Sequence, residues 1–314
     1  MYKIAILDGI TIPDISLVLN FPNEISYRES CTDHGVFDVI AGKDIIITNK
    51  VRITRDHMVA NPELKMIAVA STGFNHIDIS AAREFNIVVT NVKSYSTQSV
   101  AEHTMMMMLA LSHQLFVYNT FIREGKWQKS AFYSISGPDY FELMGKILVI
   151  IGKGDTGRAV AKLAKAFGMT VLFSERKGAE SCRSGYVPFE EALSLADVLT
   201  LHCPLNETTV NLIGSNELEQ MKKTALLINV GRGGLANEQS LVNSLRRSDI
   251  AGAGFDVLCE EPPKNGSPLL QEDLGNFIIT PHLACRSSES FQRLVEGLSD
   301  NLNSFVAGHP INVV

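Results

Sequence analysis

The chain has 314 residues, of which 45% are hydrophobic and 20% are charged. This composition is ordinary for a globular protein, and the length is typical of about two domains that can each bury a core. The net charge is -6 and the basic residues are scattered along the chain. Because nucleic acids and anionic membranes require basic patches, we expect neither as a partner.

The cysteines are odd in number, and their spacing is not that of metal ligands. The sequence therefore indicates neither a disulfide framework nor a metal site, and it is typical of reduced thiols. The N-terminus begins with a strand at Lys3 rather than with a signal sequence, and no apolar run approaches the roughly 20 residues of a membrane-spanning helix. We therefore expect a cytoplasmic protein that binds no metal ion.

The first third of the chain alternates strands with helical or turn segments, a pattern typical of a small parallel α/β domain. A long helix is then predicted from Ser99 to Gln114, and its run of methionines, Met105 to Met108, indicates packing in a core. The strands predicted before this helix cover residues 3–8, 44–48, 66–70 and 87–91.

An apolar strand at residues 147–151 runs directly into the pattern Gly-x-Gly-x-x-Gly, formed by Gly152, Gly154 and Gly157. In a dinucleotide site the first glycine permits the tight turn, the second lets a pyrophosphate approach, and the third packs the next helix against the strand. That helix, predicted for residues 158–167, would offer unpaired N–H groups to the phosphates. The alternative is a glycine-rich turn in an ordinary α/β protein, but the strand and helix context favours the dinucleotide.

A second strand at residues 170–174 delivers Glu175, which is suited to accept the ribose hydroxyls of NAD. Arg176 and Lys177 follow it and could neutralise the 2'-phosphate of NADP. Glu175 would repel that phosphate at close range, so NAD(H) is favoured.

Further strands, predicted at residues 197–202, 225–230, 250–256 and 277–281, complete a doubly wound sheet of about six strands. A last helix, residues 287–306, is expected to return to the first domain. We therefore expect one domain from residues 1–98 plus 285–314 and a second from residues 99–284, with the active site in the cleft between them.

Ligands of such sheets bind outside the carboxyl ends of the strands, where Arg232, Glu261 and His282 each follow a predicted strand. An arginine can clamp a carboxylate and polarise a keto oxygen. A histidine can donate the proton as hydride arrives, and a carboxylate can keep its ring oriented and protonated. Together they suit the reduction of a 2-keto acid, although each alone could be an exposed arginine, a loop-capping glutamate or a buried imidazole.

The chain resembles the D-isomer-specific 2-hydroxyacid dehydrogenase family over essentially its whole length, and within it the glycerate dehydrogenase (hydroxypyruvate reductase) branch. The segments that carry the resemblance are residues 71–78, 95–104, 152–157, 175–178, 202–205, 229–234, 254–257, 261–263 and 280–282.

The resemblance implies a flavodoxin-like substrate domain, a Rossmann cofactor domain and a catalytic triad of Arg232, Glu261 and His282. It also implies nicotinamide near Thr104 and Asp256, and a homodimer. Residues 120–145 with Trp127 belong either to the dimer interface or to a surface loop. The remaining cofactor contacts that it implies are Gly152, Gly154, Asp155, Thr156, Gly157, Glu175, Cys203, Pro204, Asn229, Val230 and Gly231. The substrate contacts that it implies are Ser71, Thr72, Gly73, Arg232 and Cys285.

The sequence departs from this branch after His282, where members commonly carry Ala-Trp-Ala and this chain has Ala284, Cys285 and Arg286. The missing indole would enlarge the pocket. Arg286 is expected to face solvent; in the cleft it could instead recruit a second carboxylate or a phosphate.

The sequence therefore predicts NAD(H)-dependent reduction of hydroxypyruvate or glyoxylate to the D-2-hydroxy acid, and the reverse reaction. The alternative from another class is a non-catalytic, NAD(H)-binding corepressor of the same fold. The chain lacks an obvious disordered tail or basic surface for such assembly. A formate or phosphite dehydrogenase would differ only in its pocket.

Overall fold

The computed structural model describes residues 1–12, 15–32, 34–271 and 274–314. The chain divides into two compact units, residues 1–96 with 286–314 and residues 97–285. These bounds lie within two residues of the expected domain bounds.

In chain order the elements are β1 Tyr2–Ile6, β2 Asn23–Tyr27, α1 Val36–Ile40, β3 Ile45–Thr48, α2 Arg55–Ala60, β4 Met66–Val69, α3 Ile79–Glu84, β5 Val88–Thr90, α4 Thr97–Ser112, α5 Leu115–Arg123, β6 Ile147–Ile151, α6 Asp155–Ala166, β7 Thr170–Ser174, α7 Phe189–Leu195, β8 Val198–Leu201, α8 Ser215–Gln220, β9 Leu226–Asn229, α9 Glu238–Arg247, β10 Gly252–Phe255, β11 Phe277–Ile279 and α10 Ser288–Val306.

The first unit contains a parallel sheet in the order β2-β1-β3-β4-β5, which is the flavodoxin-like order. The four strands predicted from sequence are present. The fifth, β2, was not predicted, because it is an edge strand whose Ile25 and Tyr27 are exposed and whose other residues are polar. Helix α10 packs on this sheet as expected: Leu294 and the leucines four and eight residues later are buried in the same core as Ile45 and Met66.

The second unit contains a six-stranded parallel sheet in the order β11-β10-β9-β8-β6-β7. Its two faces are covered by separate cores, so the expected pair of doubly wound, parallel α/β domains is confirmed. Met105, Met107 and Met108 of α4 lie in one of these cores, as the sequence indicated. Among the described residues no single helix has the length and apolar composition to cross a membrane, although α4 and α5 together, with a 59° bend between them, meet these criteria.

The strand order places the switch point of the second sheet between β6 and β8. The chain leaves β6 toward β7 on one side and then crosses over to β8 on the other. The loops after β6 and β8 therefore flank the crevice in which such sheets bind ligands.

Candidate active site

The glycine-rich turn after β6 is shaped by close approach of backbones. Gly152 has a φ of 104°, and a Cβ built on it would lie 2.5 Å from the carbonyl carbon of His202. A Cβ on Gly157 would lie 2.0 Å from the oxygen of Gly152. Gly154 differs, because a Cβ there would meet no atom within 4 Å. The outer glycines thus permit packing, and the middle one faces open space.

Helix α6 begins directly after this open space. No side chain caps its N-terminus in the part of the chain that the structure describes. The first N–H groups of a helix lack internal partners and attract anions, so the turn fits a dinucleotide pyrophosphate. Asp155 lies in this first turn and accepts a 2.6 Å hydrogen bond from Arg158, while Thr156 is half-buried beside it. The Arg158 pairing offsets the negative charge that Asp155 brings near the expected phosphates.

The loop after β8 lies against the same turn through the contact between Gly152 and His202. The His202 ring is hydrogen-bonded to Thr200 at 2.9 Å, and burial lowers the pKa of this histidine to about 4. Burial raises the pKa of Cys203 to about 11, so its thiol stays protonated. Both groups are therefore neutral at physiological pH, and Pro204 beside them is exposed. The cofactor contacts of Cys203 and Pro204 stay predictions.

Glu175 follows β7 as expected, but it has a partner that the sequence analysis missed. Its side chain is only 4% exposed, and Arg183 donates to it from both Nε, at 2.7 Å, and Nη2, at 2.6 Å. Arg183 lies eight residues further on, in a loop with no recognisable pattern, so sequence reasoning had no signal for it. The ribose contact of Glu175 stays a prediction.

The turn after β9 positions Arg232. Buried Asn229 donates to the carbonyl oxygen of Arg232 at 2.9 Å and accepts from the N–H of Gly231 at 3.1 Å. Val230 between them is buried, whereas Arg232 itself is exposed and donates to the Gly231 carbonyl oxygen at 2.9 Å. The amide side chain thus fixes the turn and leaves the guanidinium at the surface.

The Arg232 turn packs against the segment that leads to Glu261. A Cβ on Gly233 would lie 1.8 Å from the carbonyl oxygen of Leu258, so only glycine fits there. The N–H of Leu258 in turn donates to Oε1 of Glu261 at 2.9 Å. The turn that carries Arg232 is therefore packed against the backbone segment that holds Glu261.

His282 and Glu261 form a direct pair. The Nδ1 atom of His282 lies 2.6 Å from Oε2 of Glu261, and the two side chains are 30% and 34% exposed. A carboxylate on Nδ1 orients the ring, and Nε2 has no hydrogen-bond partner within the described residues. The pair therefore presents one ring nitrogen to a ligand.

Asp256 holds the loop that carries His282. It is 1% exposed and accepts hydrogen bonds from the backbone N–H groups of Leu283 and Ala284, each at 2.8 Å, and from the Thr280 hydroxyl at 2.5 Å. Sequence reasoning had assigned Asp256 to nicotinamide and missed this role, because only the fold brings residue 256 to residues 280–284. The nicotinamide contact stays a prediction.

The structure places Thr104 away from any surface. Its side chain is buried, and its hydroxyl donates to the carbonyl oxygen of Val100 one helical turn earlier, at 2.7 Å. The neighbouring His103 instead contacts Thr280 at 2.9 Å. The Thr104 hydroxyl therefore has a local partner in the helix, and its contact with nicotinamide stays a prediction.

The loop predicted to bind substrate lies in the first unit, after β4. Ser71 donates to the carbonyl oxygen of Gly73 at 2.7 Å, and Thr72 donates to that of Val92 at 3.0 Å. Asn91 holds the loop from the other side, donating to the Thr72 carbonyl oxygen at 2.7 Å. The N–H groups of Thr72 and Gly73 have no acceptor within the described residues, which suits them to bind a carboxylate.

The two residues that depart from the family pattern are neighbours in the chain at the point where the second unit ends and the first resumes. Cys285 is half-buried in the second unit. Arg286 is exposed and its guanidinium lies over the ring of Phe291 at 5.5 Å, and its direction toward solvent rather than the cleft stays a prediction.

Comparison with known proteins agrees with this geometry. Residues 105–284 match the model of the D-isomer specific 2-hydroxyacid dehydrogenase, NAD binding domain. The chain belongs to this family. The dehydrogenase is therefore an NAD-binding oxidoreductase, and its second unit carries the NAD-binding domain.

Relatives cover the full length of the enzyme. It is 39% identical to glycerate dehydrogenase of Methylorubrum extorquens over 313 residues, or 99% of this chain and 98% of the relative. It is 37% identical to hydroxypyruvate reductase of Blautia hydrogenotrophica over 293 residues, or 91% and 90% of the two chains. The crystal structure of an NADPH-dependent glyoxylate/hydroxypyruvate reductase from Sinorhizobium meliloti in complex with citrate has a TM-score of 0.82 and 25% identity, covering 100% of this chain and 98% of that one.

Proposed function

We propose that the enzyme reduces hydroxypyruvate and glyoxylate with NADH, giving the D-2-hydroxy acid, and that it catalyses the reverse oxidation. The observation that carries this proposal is the 2.6 Å contact between His282 and Glu261. This contact orients a ring nitrogen for proton transfer at the carboxyl ends of the strands, where the loop with Arg232 also begins. The names of the two relatives, glycerate dehydrogenase and hydroxypyruvate reductase, support these substrates.

In this mechanism Arg232 binds the substrate carboxylate through its planar fork and polarises the keto oxygen. When bound, NADH supplies the hydride that the keto carbon receives. His282 donates a proton from Nε2 to the keto oxygen, and Glu261 keeps the ring in place through Nδ1. One hydride and one proton convert the ketone into a secondary alcohol, so the step is balanced. The N–H groups of Thr72 and Gly73, which have no acceptor within the described residues, are proposed substrate contacts.

The test is NADH oxidation at saturating cofactor over a panel of 2-keto acids, with chiral analysis of the products. Glyoxylate and hydroxypyruvate should give the highest kcat/KM, and hydroxypyruvate should yield only the D product. Arg232→Lys keeps the charge but loses the planar fork, so it should raise KM and lower kcat together while the Tm is unchanged. A protein that binds NADH tightly but reduces no 2-keto acid would support the non-catalytic, corepressor-like alternative.

We also propose that the enzyme is a homodimer, because a contiguous stretch of the second unit exposes large apolar side chains. Helix α5 contains no buried residue. Exposed apolar surfaces of this kind are typical of protein interfaces, and a self-complementary patch on identical chains gives a two-fold dimer. The exposed side chains are Leu115, Phe116, Ile122, Trp127, Phe132 and Tyr133.

Light scattering on the purified protein tests the dimer. The unmodified chain should have the mass of two chains, and Phe116→Glu combined with Ile122→Glu should have the mass of one. The matched control places two glutamates at exposed apolar positions outside this stretch, Val18→Glu with Val59→Glu, and should leave the mass unchanged. A monomeric unmodified enzyme contradicts the proposal.

We also propose a cytoplasmic location, which the unbridged thiols of Cys182, Cys203 and Cys259 support. Cell fractionation with a tagged full-length chain tests it. Recovery of the chain with membranes or in the medium contradicts it.

A further inference from the structure

The acceptor sites of Glu175 are filled from within the protein. Its Oε1 accepts from the N–H of Arg176 at 2.8 Å and from Nη2 of Arg183 at 2.6 Å. Its Oε2 accepts from the N–H of Arg183 at 3.0 Å and from Nε of the same residue at 2.7 Å. A carboxylate has about four acceptor positions, and these four hydrogen bonds occupy them. Arg183 also keeps the carboxylate ionised, because its hydrogen bonds lower the pKa of Glu175 to about 2.

The contact with Glu175 uses only some of the N–H groups of the Arg183 guanidinium. Its side chain is 51% exposed, and its guanidinium lies over the ring of Tyr186 at 4.0 Å, which fixes its plane. Within the described residues Nε and Nη2 donate to Glu175, and no acceptor contacts Nη1. Because a guanidinium has five N–H groups, an exposed anion could bind Arg183 while the pair with Glu175 stays intact.

The surroundings of this pair are basic on the solvent side. Arg176 follows Glu175 and is exposed. Lys177 is different, because it donates to Glu217 at 2.8 Å and its charge is already compensated. The net charge near the end of β7 is therefore positive, whereas the sequence analysis had expected Glu175 to repel a 2'-phosphate.

We propose that Arg183 determines cofactor specificity: by pairing with Glu175 it makes the ribose end of the site accept the 2'-phosphate of NADPH as well as the ribose hydroxyls of NADH. The inference rests on the proposed dinucleotide site but not on the proposed substrate. The phosphate would bind the exposed edge of the Arg183 guanidinium, and the repulsion from Glu175 would be cancelled by the same side chain. In the absence of Arg183, the carboxylate would be free to accept ribose hydroxyls and to repel a phosphate.

Binding of NADH and NADPH, measured by isothermal titration without substrate, tests the proposal. The unmodified enzyme should bind the two cofactors with affinities that differ by no more than about tenfold. Arg183→Ala should weaken NADPH binding by about 10- to 100-fold, since a hydrogen bond between charged groups is lost. NADH binding should stay unchanged or strengthen by up to about threefold, because the freed carboxylate can accept ribose hydroxyls. Arg176→Ala removes the same charge beside the same carboxylate without breaking the pair, and it should weaken NADPH binding by less than Arg183→Ala does.

Discrimination against NADPH by more than about tenfold in the unmodified enzyme overturns the proposal. Equal losses in the Arg176 and Arg183 variants also overturn it, because they would assign the effect to overall charge. If Arg183→Ala does not fold, Arg183→Lys keeps the charge without the two-point contact and should give an intermediate loss of NADPH affinity. Turnover of 2-keto acids with saturating NADH is measured in parallel, so that failure of the proposed reaction and failure of the cofactor inference are distinguishable.

Discussion

Two pairs of histidine and carboxylate lie on the same edge of the second sheet, and they differ in access. In the first, His282 and Glu261 are in contact at 2.6 Å and each is about one third exposed, at 30% and 34%. In the second, His103 and Asp256 are 3.7 Å apart, both contact the hydroxyl of Thr280, and their side chains are 15% and 1% exposed. Burial lowers the pKa of His103, although Asp256 acts in the opposite direction.

The difference shows how the fold separates a chemical pair from a structural one. Asp256 is occupied by two backbone N–H groups and a hydroxyl, so little of it remains for a ligand. Glu261 accepts one backbone N–H, that of Leu258, with Oε1 and contacts His282 with Oε2. Each pair joins a histidine to a carboxylate, and the exposure of the side chains distinguishes the two pairs. Asp256 also binds the loop next to His282, so the buried pair supports the exposed one.

The largest effect is expected from His282→Ala, which removes the proton donor. The kcat for 2-keto acid reduction should fall by roughly 10² to 10⁴, with NADH affinity and Tm nearly unchanged. The matched control is His103→Asn, which removes the buried histidine of the second pair and should change Tm more than kcat. If the two variants lose the same activity, the distinction between the pairs is wrong.

Asp256→Ala should give the next largest effect, and it should act mainly on stability. The change leaves the N–H groups of Leu283 and Ala284 without their acceptor in a buried place, which should lower the free energy of unfolding by about 2 to 4 kcal/mol. Because the loop also carries His282, kcat should fall as well. Denaturant unfolding and steady-state kinetics on the same preparation measure both, and an unchanged unfolding free energy would contradict the supporting role.

The sequence predicted the parallel α/β architecture because apolar strands and glycine turns are local signals. It predicted the strand ends that carry Arg232, Glu261 and His282 for the same reason. Edge strand β2 was missed, since half-exposed polar strands lack an apolar run. The pairs formed by Glu175 with Arg183 and by Asp256 with residues 280–284 were missed because they depend on side-chain geometry and long-range folding. Likewise, the burial of Thr104 could not be predicted from a helix in which polar and apolar residues are not separated onto two faces.

Lowering the pH should test the effect of burial on a further histidine of this sheet edge, the half-buried His202. Its pKa is lowered from 6.5 to about 4 in the folded enzyme, so the ring is neutral there while the unfolded chain takes up a proton. Its contribution to stability is therefore intact above pH 6.5 and is lost as the pH falls toward 4, by about 2 kcal/mol at pH 5. His202→Asn should lose stability less steeply between pH 7 and 5 than the unmodified enzyme, as measured by urea unfolding at both values. Parallel pH profiles would show that His202 is not held neutral.

The smallest effect is expected from Glu261→Gln, which removes the charge of the carboxylate but keeps a side chain of nearly the same size next to His282. The amide oxygen can still accept the Nδ1 proton of His282, so the ring should stay oriented, but the ionic part of the hydrogen bond is lost. Hydrogen bonds to charged groups exceed neutral ones by about 1 kcal/mol, which corresponds to a fall in kcat of roughly five- to tenfold. The Tm and the KM for the keto acid should hardly change, whereas Glu261→Ala, which also removes the orientation, should approach the loss seen for His282→Ala. A glutamine variant as inactive as the alanine variant would mean that charge rather than orientation is what Glu261 supplies, and an alanine variant with full activity would remove Glu261 from the reaction.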